Sequence, residues 1–484
     1  MRKAIRTLLG ALCTVIAFPG CDEPLSELSE NETTVLPAST NVSATSVQTG
    51  GAITVNIWDQ KQTIDLLGGG SYFYSGHVMD GITNKTDAHN WLWRDLHVNM
   101  YRIVLYAGGV EDANDNSDPN VLNSTGFDFT TNTNLVTQID GVLKAKSLNS
   151  NIKVWAIVLS PPKYLKTNNS VSNGGTLKTS YANAYAEYGE FIFAHLKNLK
   201  SKGVTVDYLS LMNEPDVTLD HEDADFTTSQ AKSVYSQTAN WLKSKLPANA
   251  ITVPVFTGAD PLNVTNADDY INAIKTTNNV GLYTCHQYGG SSESNFATGA
   301  AAAGTRGLYM TEWHAGHGMG TDPDEIVASF DLVNKFNDAF RGGARGWMYF
   351  EWGNPHNNFG GLLKTPWGDV ATRRMNYYIF QQYTNGLLNK KYITTTLSGI
   401  ANFGPSNVAG FTAGNEATIH IMNWNSDAQN RVRMKFGGLF KNIRIYRTSA
   451  TESNTLIWSQ DNVNLDYYDV DFSGKSFTTV KITW

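Results

Sequence analysis

The chain reads as an α/β protein: a (β/α)8 barrel followed by a C-terminal β-sandwich to which an N-terminal strand contributes. Three observations predict this. Between residues 65 and 389, short apolar runs alternate with longer amphipathic stretches, the rhythm of strands and crossover helices. Two of those runs end in a carboxylate, at Asn213-Glu214-Pro215 and Thr311-Glu312-Trp313. From Lys390 onward the apolar period changes to two, with Gly, Asn, Ser and Asp between the runs.

In chain order, Arg2, Lys3 and Arg6 precede an apolar run from Leu8 to Phe18, too short to span a bilayer. It ends in Phe18-Pro19-Gly20-Cys21, similar to a bacterial lipoprotein cleavage site. The expectation is a leader over residues 1–21, with lipid on Cys21 anchoring an exported protein to the outer membrane or cell surface. Ordinary secretion with cleavage nearby is the alternative. Residues 22–50 are rich in Ser, Thr, Asn and Glu and read as a flexible linker. Residues 51–64 hold an alternating strand, Ala52–Ile57.

The barrel strands are expected at Leu66–Phe73, Asn99–Tyr106, Ile152–Leu159, Val204–Met212, Ile251–Thr257, Gly281–Tyr288, Gly307–Thr311 and Arg345–Trp352. Helices are expected at Asp87–His97, Tyr181–Ser201, Ser229–Lys245, Asp324–Phe340 and Thr372–Asn385, among others. An open doubly wound sheet is the rival fold. It would normally carry a glycine-rich nucleotide turn, and Gly68-Gly69-Gly70 lacks that spacing. Residues 390–484 are expected to form the sandwich, with strands at Tyr392–Leu397, Ala417–Asn423, Val432–Phe436, Ile443–Tyr446, Val463–Val470 and Phe477–Trp484. Its aromatics, Trp424, Tyr446, Trp458, Tyr467 and Tyr468, read as packing against the barrel or as a carbohydrate-binding face.

The net charge of −7 and the lack of a basic stripe exclude a nucleic-acid partner. Of three cysteines only Cys285 falls in the folded part, inside an apolar strand, so it reads as buried packing with no disulfide. His221-Glu222-Asp223-Ala224-Asp225 reads as a metal loop or, preferably, as a solvated acidic loop.

In a parallel barrel the C-terminal ends of the strands face the active site, and burying a carboxyl group there without partners costs several kcal/mol. Two such carboxylates are what cleavage of a glycosidic bond requires. One protonates the leaving oxygen and the other meets the positive charge developing at the sugar carbon. Taken singly, either glutamate reads equally well as a loop charge or a helix cap.

Several local motifs resemble glycoside hydrolase family 30, over the stretch from Gln62 to the C-terminus. They are Gln62-Thr63-Ile64-Asp65 before the glycine run, Ser160-Pro161-Pro162-Lys163-Tyr164-Leu165-Lys166-Thr167-Asn168, Asn213-Glu214-Pro215-Asp216, and Thr311-Glu312-Trp313. The resemblance implies a retaining mechanism. Glu214 is then the acid/base, its pKa raised by the charge of Glu312, and Glu312 is the nucleophile. Asn213 is expected to bind the neighbouring sugar hydroxyl, Tyr288 and Arg102 to hold Glu312 ionised, and Trp352 to floor the sugar. Trp313, His286 and Tyr164 are further expected substrate contacts.

The resemblance implies no cofactor and no metal. The expected partner is a polysaccharide, with no nucleic acid, a membrane only through Cys21, and a monomeric chain. Among substrates, xylan without a glucuronic acid requirement comes first: Asn213–Asp216 and the Ser-Pro-Pro loop most resemble the family's xylanase branch, and the basic residue that the resemblance implies for glucuronate-dependent members is missing from Glu351–Gly360. A β-1,6-linked glucan or galactan is the alternative within the fold. A surface glycan-binding lipoprotein without catalysis is the alternative from another class.

Overall fold

The computed structural model describes residues 50–289, 292–315, 325–356 and 360–484. The expected leader with Cys21, and the linker up to residue 49, lie outside the described residues. No helix among those described is long and apolar enough to cross a membrane.

The first strand, β1 (Ala52–Thr63), belongs to the C-terminal sheet. Eight strands then form a parallel sheet: β2 (Leu66–Gly70), β3 (Met100–Leu105), β4 (Lys153–Val158), β5 (Tyr208–Ser210), β6 (Val255–Thr257), β7 (Tyr283–His286), β8 (Leu308–Glu312) and β9 (Gly346–Phe350). Each pairs with its neighbour, β9 returns to β2, and a parallel bridge from Thr257 to Leu282 joins β6 to the β7 side. The barrel therefore closes. Strand β3 is buried along its whole length, as a strand covered on both faces must be. The glycine run of β2 has a packing cause: a Cβ on Gly69 would lie 2.4 Å from the Tyr349 carbonyl oxygen.

Helices α1 (Lys85–Trp93), α2 (Thr133–Leu148), α3 (Ala184–Ser201), α4 (Thr228–Ala248), α5 (Ala267–Ile274), α6 (Glu293–Ala303), α7 (Glu325–Arg341) and α8 (Met375–Thr384) surround the sheet. Several elements are shorter than the pattern predicts, for local reasons. Pro254 has no N–H, and β6 begins only at Val255. The Asp207 carboxylate accepts the Val154 N–H at 2.8 Å, so a side chain takes a ladder bond at the start of β5. Asn183 is left-handed at φ +57°, and α3 starts after it. Thr372 and Arg373 pair with Leu363 and Lys364, leaving α8 to begin at Met375.

The C-terminal unit holds β13 (Lys391–Ser398), β14 (Val408–Ala413), β15 (Glu416–Asn423), β16 (Gln429–Phe440), β17 (Asn442–Thr448), β18 (Thr455–Gln460), β19 (Leu465–Phe472) and β20 (Ser476–Thr483), after three two-residue strands, β10–β12 (353–354, 363–364, 372–373). Hydrogen bonding runs unbroken through nine strands in the order β18-β17-β20-β15-β14-β13-β1-β16-β19. Ile53 and Met434 from one end share a core with Ile419 and Val480 from the other, so the sheet folds over itself as a sandwich. Strands β14 and β18 are additions to the sequence pattern; β14 is weakened as a signal by Ala409, Gly410 and Ala413. The contact with the barrel is made by Tyr383 on α8, which stacks on His420 at 4.2 Å, and by Gln382, which reaches Thr479 at 2.8 Å. Trp424 is instead 54% exposed, so it is not among the packing aromatics.

Candidate active site

The carboxylates at Glu214 and Glu312 meet at the C-terminal mouth of the barrel. Glu312 is the last residue of β8, and Glu214 lies just beyond β5 in the left-handed region at φ +45°, a rare conformation for a non-glycine residue. Its backbone N–H is held by the Asp260 carbonyl at 2.9 Å. Both carboxylates are buried, and Glu214, His286 and Glu312 each bring one donor atom within 4.8 Å of the others. Two carboxyl groups this near fall on the side of the retaining separation of about 5–5.5 Å, rather than the wider gap that admits a water between them.

Arg102, on β3 and wholly buried, ties the cluster together. Its Nη1 donates to Glu312 Oε2 and to the Tyr72 hydroxyl. Its Nη2 donates to Asn213 Oδ1 and to His286 Nε2, each at 3.1 Å. A guanidinium can only donate, so His286 Nε2 must accept and the ring proton sits on Nδ1. That N–H points at Glu214 Oε1, 2.7 Å away. Burial pushes the His286 pKa down, in keeping with a neutral ring. With Oε1 occupied as an acceptor, the transferable proton of Glu214 belongs on Oε2.

The same logic orients Asn213. Its oxygen is committed to Arg102, which leaves the amide N–H2 as the donor. The Tyr288 hydroxyl donates to Glu312 Oε1 at 3.1 Å, and burial holds the phenol protonated far above its usual range. Glu312 thus receives donors on both oxygens.

Glu214 is pushed up to about 8, chiefly by burial, against the opposing pull of Arg102. Its strongest charged neighbours of like sign are Asp216 and Asp260. The expected cause, the charge of Glu312, is displaced by a simple screen: the Arg102 guanidinium lies directly on that carboxylate. One carboxyl group is therefore protonated near neutral pH, and the other sits against a cation and a phenol. That is the asymmetry an acid and a nucleophile need.

Three expected substrate contacts face elsewhere. Trp352 is fully buried, with its ring 6.4 Å from Tyr101 and against Gly69, so no sugar face reaches it. Trp313 packs between Trp347 and Tyr349, because the residue after Glu312 points to the opposite face. His286 is wholly buried beneath the carboxylates and acts on them, with no surface for substrate. Tyr164 donates to Glu111 at 2.9 Å and stands 5.6 Å from Tyr181, in the wall made by the loops after β3 and β4.

Sequence reasoning missed Asp260, Tyr72 and Phe350. Asp260 lies just past β6, wholly buried, and accepts from the Ser210 and Thr311 hydroxyls. Phe350, half-buried at the end of β9, packs on Tyr72 at 4.9 Å and on His314 at 5.6 Å. His314 also meets Tyr288 at 5.7 Å. These rings form the aromatic side of the mouth.

The acids of the Glu222–Asp225 loop are occupied. Glu222 caps the Ala107 and Gly108 N–H groups at 3.0 and 2.8 Å, and Asp223 takes Leu219 N–H at 2.7 Å. In the Glu214–His286–Glu312 trio both histidine nitrogens are engaged and a guanidinium lies between them, an arrangement that disfavours a cation.

Residues 107–235 match the family model of the glycosyl hydrolase family 30 TIM-barrel domain. The matched stretch runs from the end of β3 into α4 and includes Glu214, and together with the paired carboxylates it indicates a glycosidase. A family 30 subfamily 8 xylanase from Clostridium acetobutylicum superposes with a TM-score of 0.69 at 18% identity, covering 90% of this chain and 100% of the other. Xylanase C of Talaromyces cellulolyticus gives 0.72 at 19%, with the same coverage. An endo-β1,6-glucanase gives 0.64 at 14%, covering 90% and 93%. At these identities the likeness is one of fold.

Proposed function

We propose that this chain is a family 30 enzyme, a retaining endo-β-1,4-xylanase that does not depend on glucuronic acid branches. The observation that carries the mechanism is the opposed setting of two adjacent carboxyl groups. Glu214, protonated to about 8, gives its Oε2 proton to the leaving oxygen. Glu312, oriented by Arg102 and Tyr288, attacks the anomeric carbon and forms a glycosyl-enzyme. Glu214, now ionised, takes a proton from the water that resolves it. The Asn213 amide donates to the hydroxyl beside the reacting carbon, a contact that tightens as charge develops.

The substrate reading is supported by the two xylanase folds and by the loop after β9. That loop carries no Lys or Arg from 351 to 360, and the nearby Arg374 is committed to the carbonyls of Asn354 and His356. A glucuronate would find no bidentate cation there. The similarity to an endo-β1,6-glucanase supports the second substrate class. Export with lipid on Cys21 completes the proposal and rests on the Arg2–Cys21 segment alone.

The test is product release from plain xylan, glucuronoxylan, β-1,6-glucan and β-1,6-galactan, with Glu312→Gln as control. Release from both xylans that vanishes in the variant is the expected result. Release from glucan or galactan alone moves the substrate to the β-1,6 class. Silence on every polymer with measurable binding to one overturns the catalytic reading.

A further inference from the structure

An aromatic cleft opens beside the catalytic mouth, between the loop after β2, the start of α2 and the segment joining β11 to β12. Its volume is about 500 Å³, within the range of sites that hold small organic ligands. Two large rings that the catalytic cluster does not use line it, Phe73 and Trp367, 39% and 65% exposed. Val136, 37% exposed, lines it too, so three large apolar side chains share one patch instead of lying scattered over the surface.

Trp367 is held in place by backbone. A Cβ on Gly81 would lie 2.6 Å from its Cε3, so the indole packs where any side chain would collide. The Gly368 N–H donates to the Gly81 carbonyl at 2.6 Å, and the Thr83 N–H donates to the Asp369 carbonyl at 2.9 Å. His77 meets the indole edge-on at 5.2 Å. These contacts fix the ring and still leave most of it open to solvent. Phe73 belongs to both the cleft and the mouth. It meets Phe350 edge-on at 6.1 Å, Phe350 packs on His314, and His314 meets Tyr288, the phenol on Glu312. A run of rings therefore leads from the nucleophile to the cleft.

We propose that the cleft is a distal subsite, where further sugar residues of the polysaccharide cleaved in the mouth pack on Trp367 and Phe73. The inference rests on the reading of the chain as an endo-acting glycanase. A polysaccharide covers more of the surface than the residue at the cut, and the run of rings marks its path. The apolar C–H faces of a pyranose suit an aromatic wall, and its hydroxyls suit the exposed Asp80 and Thr133 on the same lining. Contacts this far from the reacting carbon make the enzyme select for chain length.

The test titrates Glu312→Gln protein by calorimetry with dimers and hexamers of β-1,4-linked xylose, β-1,6-linked glucose and β-1,6-linked galactose, so the result does not depend on turnover. In one series the hexamer should bind more tightly than the dimer. Trp367→Ala should weaken hexamer binding by about tenfold and dimer binding much less, and Trp367→Tyr should recover most of the loss. Val136→Arg, at an exposed helix position, narrows the cleft without touching the Gly81 packing and should give the same length-dependent loss with native circular dichroism. Equal affinity for both lengths, no binding in any series, or a folded Val136→Arg variant that loses nothing or loses equally at both lengths overturns the subsite. Length-dependent binding by a wild-type chain that cleaves no polymer overturns the catalytic reading and leaves the subsite standing.

Discussion

Glu214 and Glu312 are buried nearly as deeply as Glu187 and Glu190, at the same end of the same barrel, yet the two pairs are treated in opposite ways. Around the first pair a guanidinium, an imidazole N–H and a phenol are aimed at the oxygens, and none is left buried without a partner. Around the second pair, on α3, the partners are the Asn114 amide and the two carboxyl groups themselves, with no cationic side chain paired to either among the described residues. Burial is the largest cause in both places, and Glu214 and Glu190 are each raised to about 8, while the choice of partners decides what the group can do. Donors that leave one oxygen free make an acid; carboxyl groups packed on one another hold their protons and stay neutral.

The largest effect should come from the reactive pair itself. Glu312→Gln keeps the shape but removes the nucleophile, and kcat should fall by about 10^4-fold or more in steady-state assays, with binding retained. Next, Arg102→Met leaves Glu312 and Asp260 buried without their cation, which should cost about 3–5 kcal/mol by denaturant titration. Adding Glu312→Gln should recover part of that loss.

A third test bears on the second pair and on Glu111 beside it. Glu111 and Glu190 are each raised to about 8 in the fold, so the native state holds protons that the unfolded chain gives up above its ordinary carboxyl range. Their contribution is complete below the unfolded value of about 4.5 and is lost as pH rises through about 8. The protein should therefore lose stability across that window, and Glu190→Gln should flatten the slope. The smallest effect concerns His286. Its N–H stabilises ionised Glu214, so His286→Phe should move the alkaline limb of kcat/KM, set near 8 by Glu214, upward by about one pH unit.

The barrel was legible because its strands are apolar on both faces, and the two glutamates because each sits in a local motif at a strand end. Strand lengths were less so, since Pro254 and Asp207 act through single missing or substituted bonds. Trp313 and Trp352 were misjudged because neighbouring residues at a strand end face opposite sides, and periodicity cannot say which side is the mouth. The cause of the raised acid needed Arg102 to be seen lying on Glu312. Asp260 and the acidic pocket were invisible for another reason. Glu111 and Glu190 look like ordinary solvated charges until the β3 loop and α3 are brought together.

The central claim is that a nucleophile and an acid lie close enough for two successive displacements. Proton NMR of the first sugar released from the hydrolysed substrate tests it directly. The β anomer appearing first, before mutarotation, is the predicted result. The α anomer appearing first would mean that a water attacks in place of Glu312, and would contradict the account.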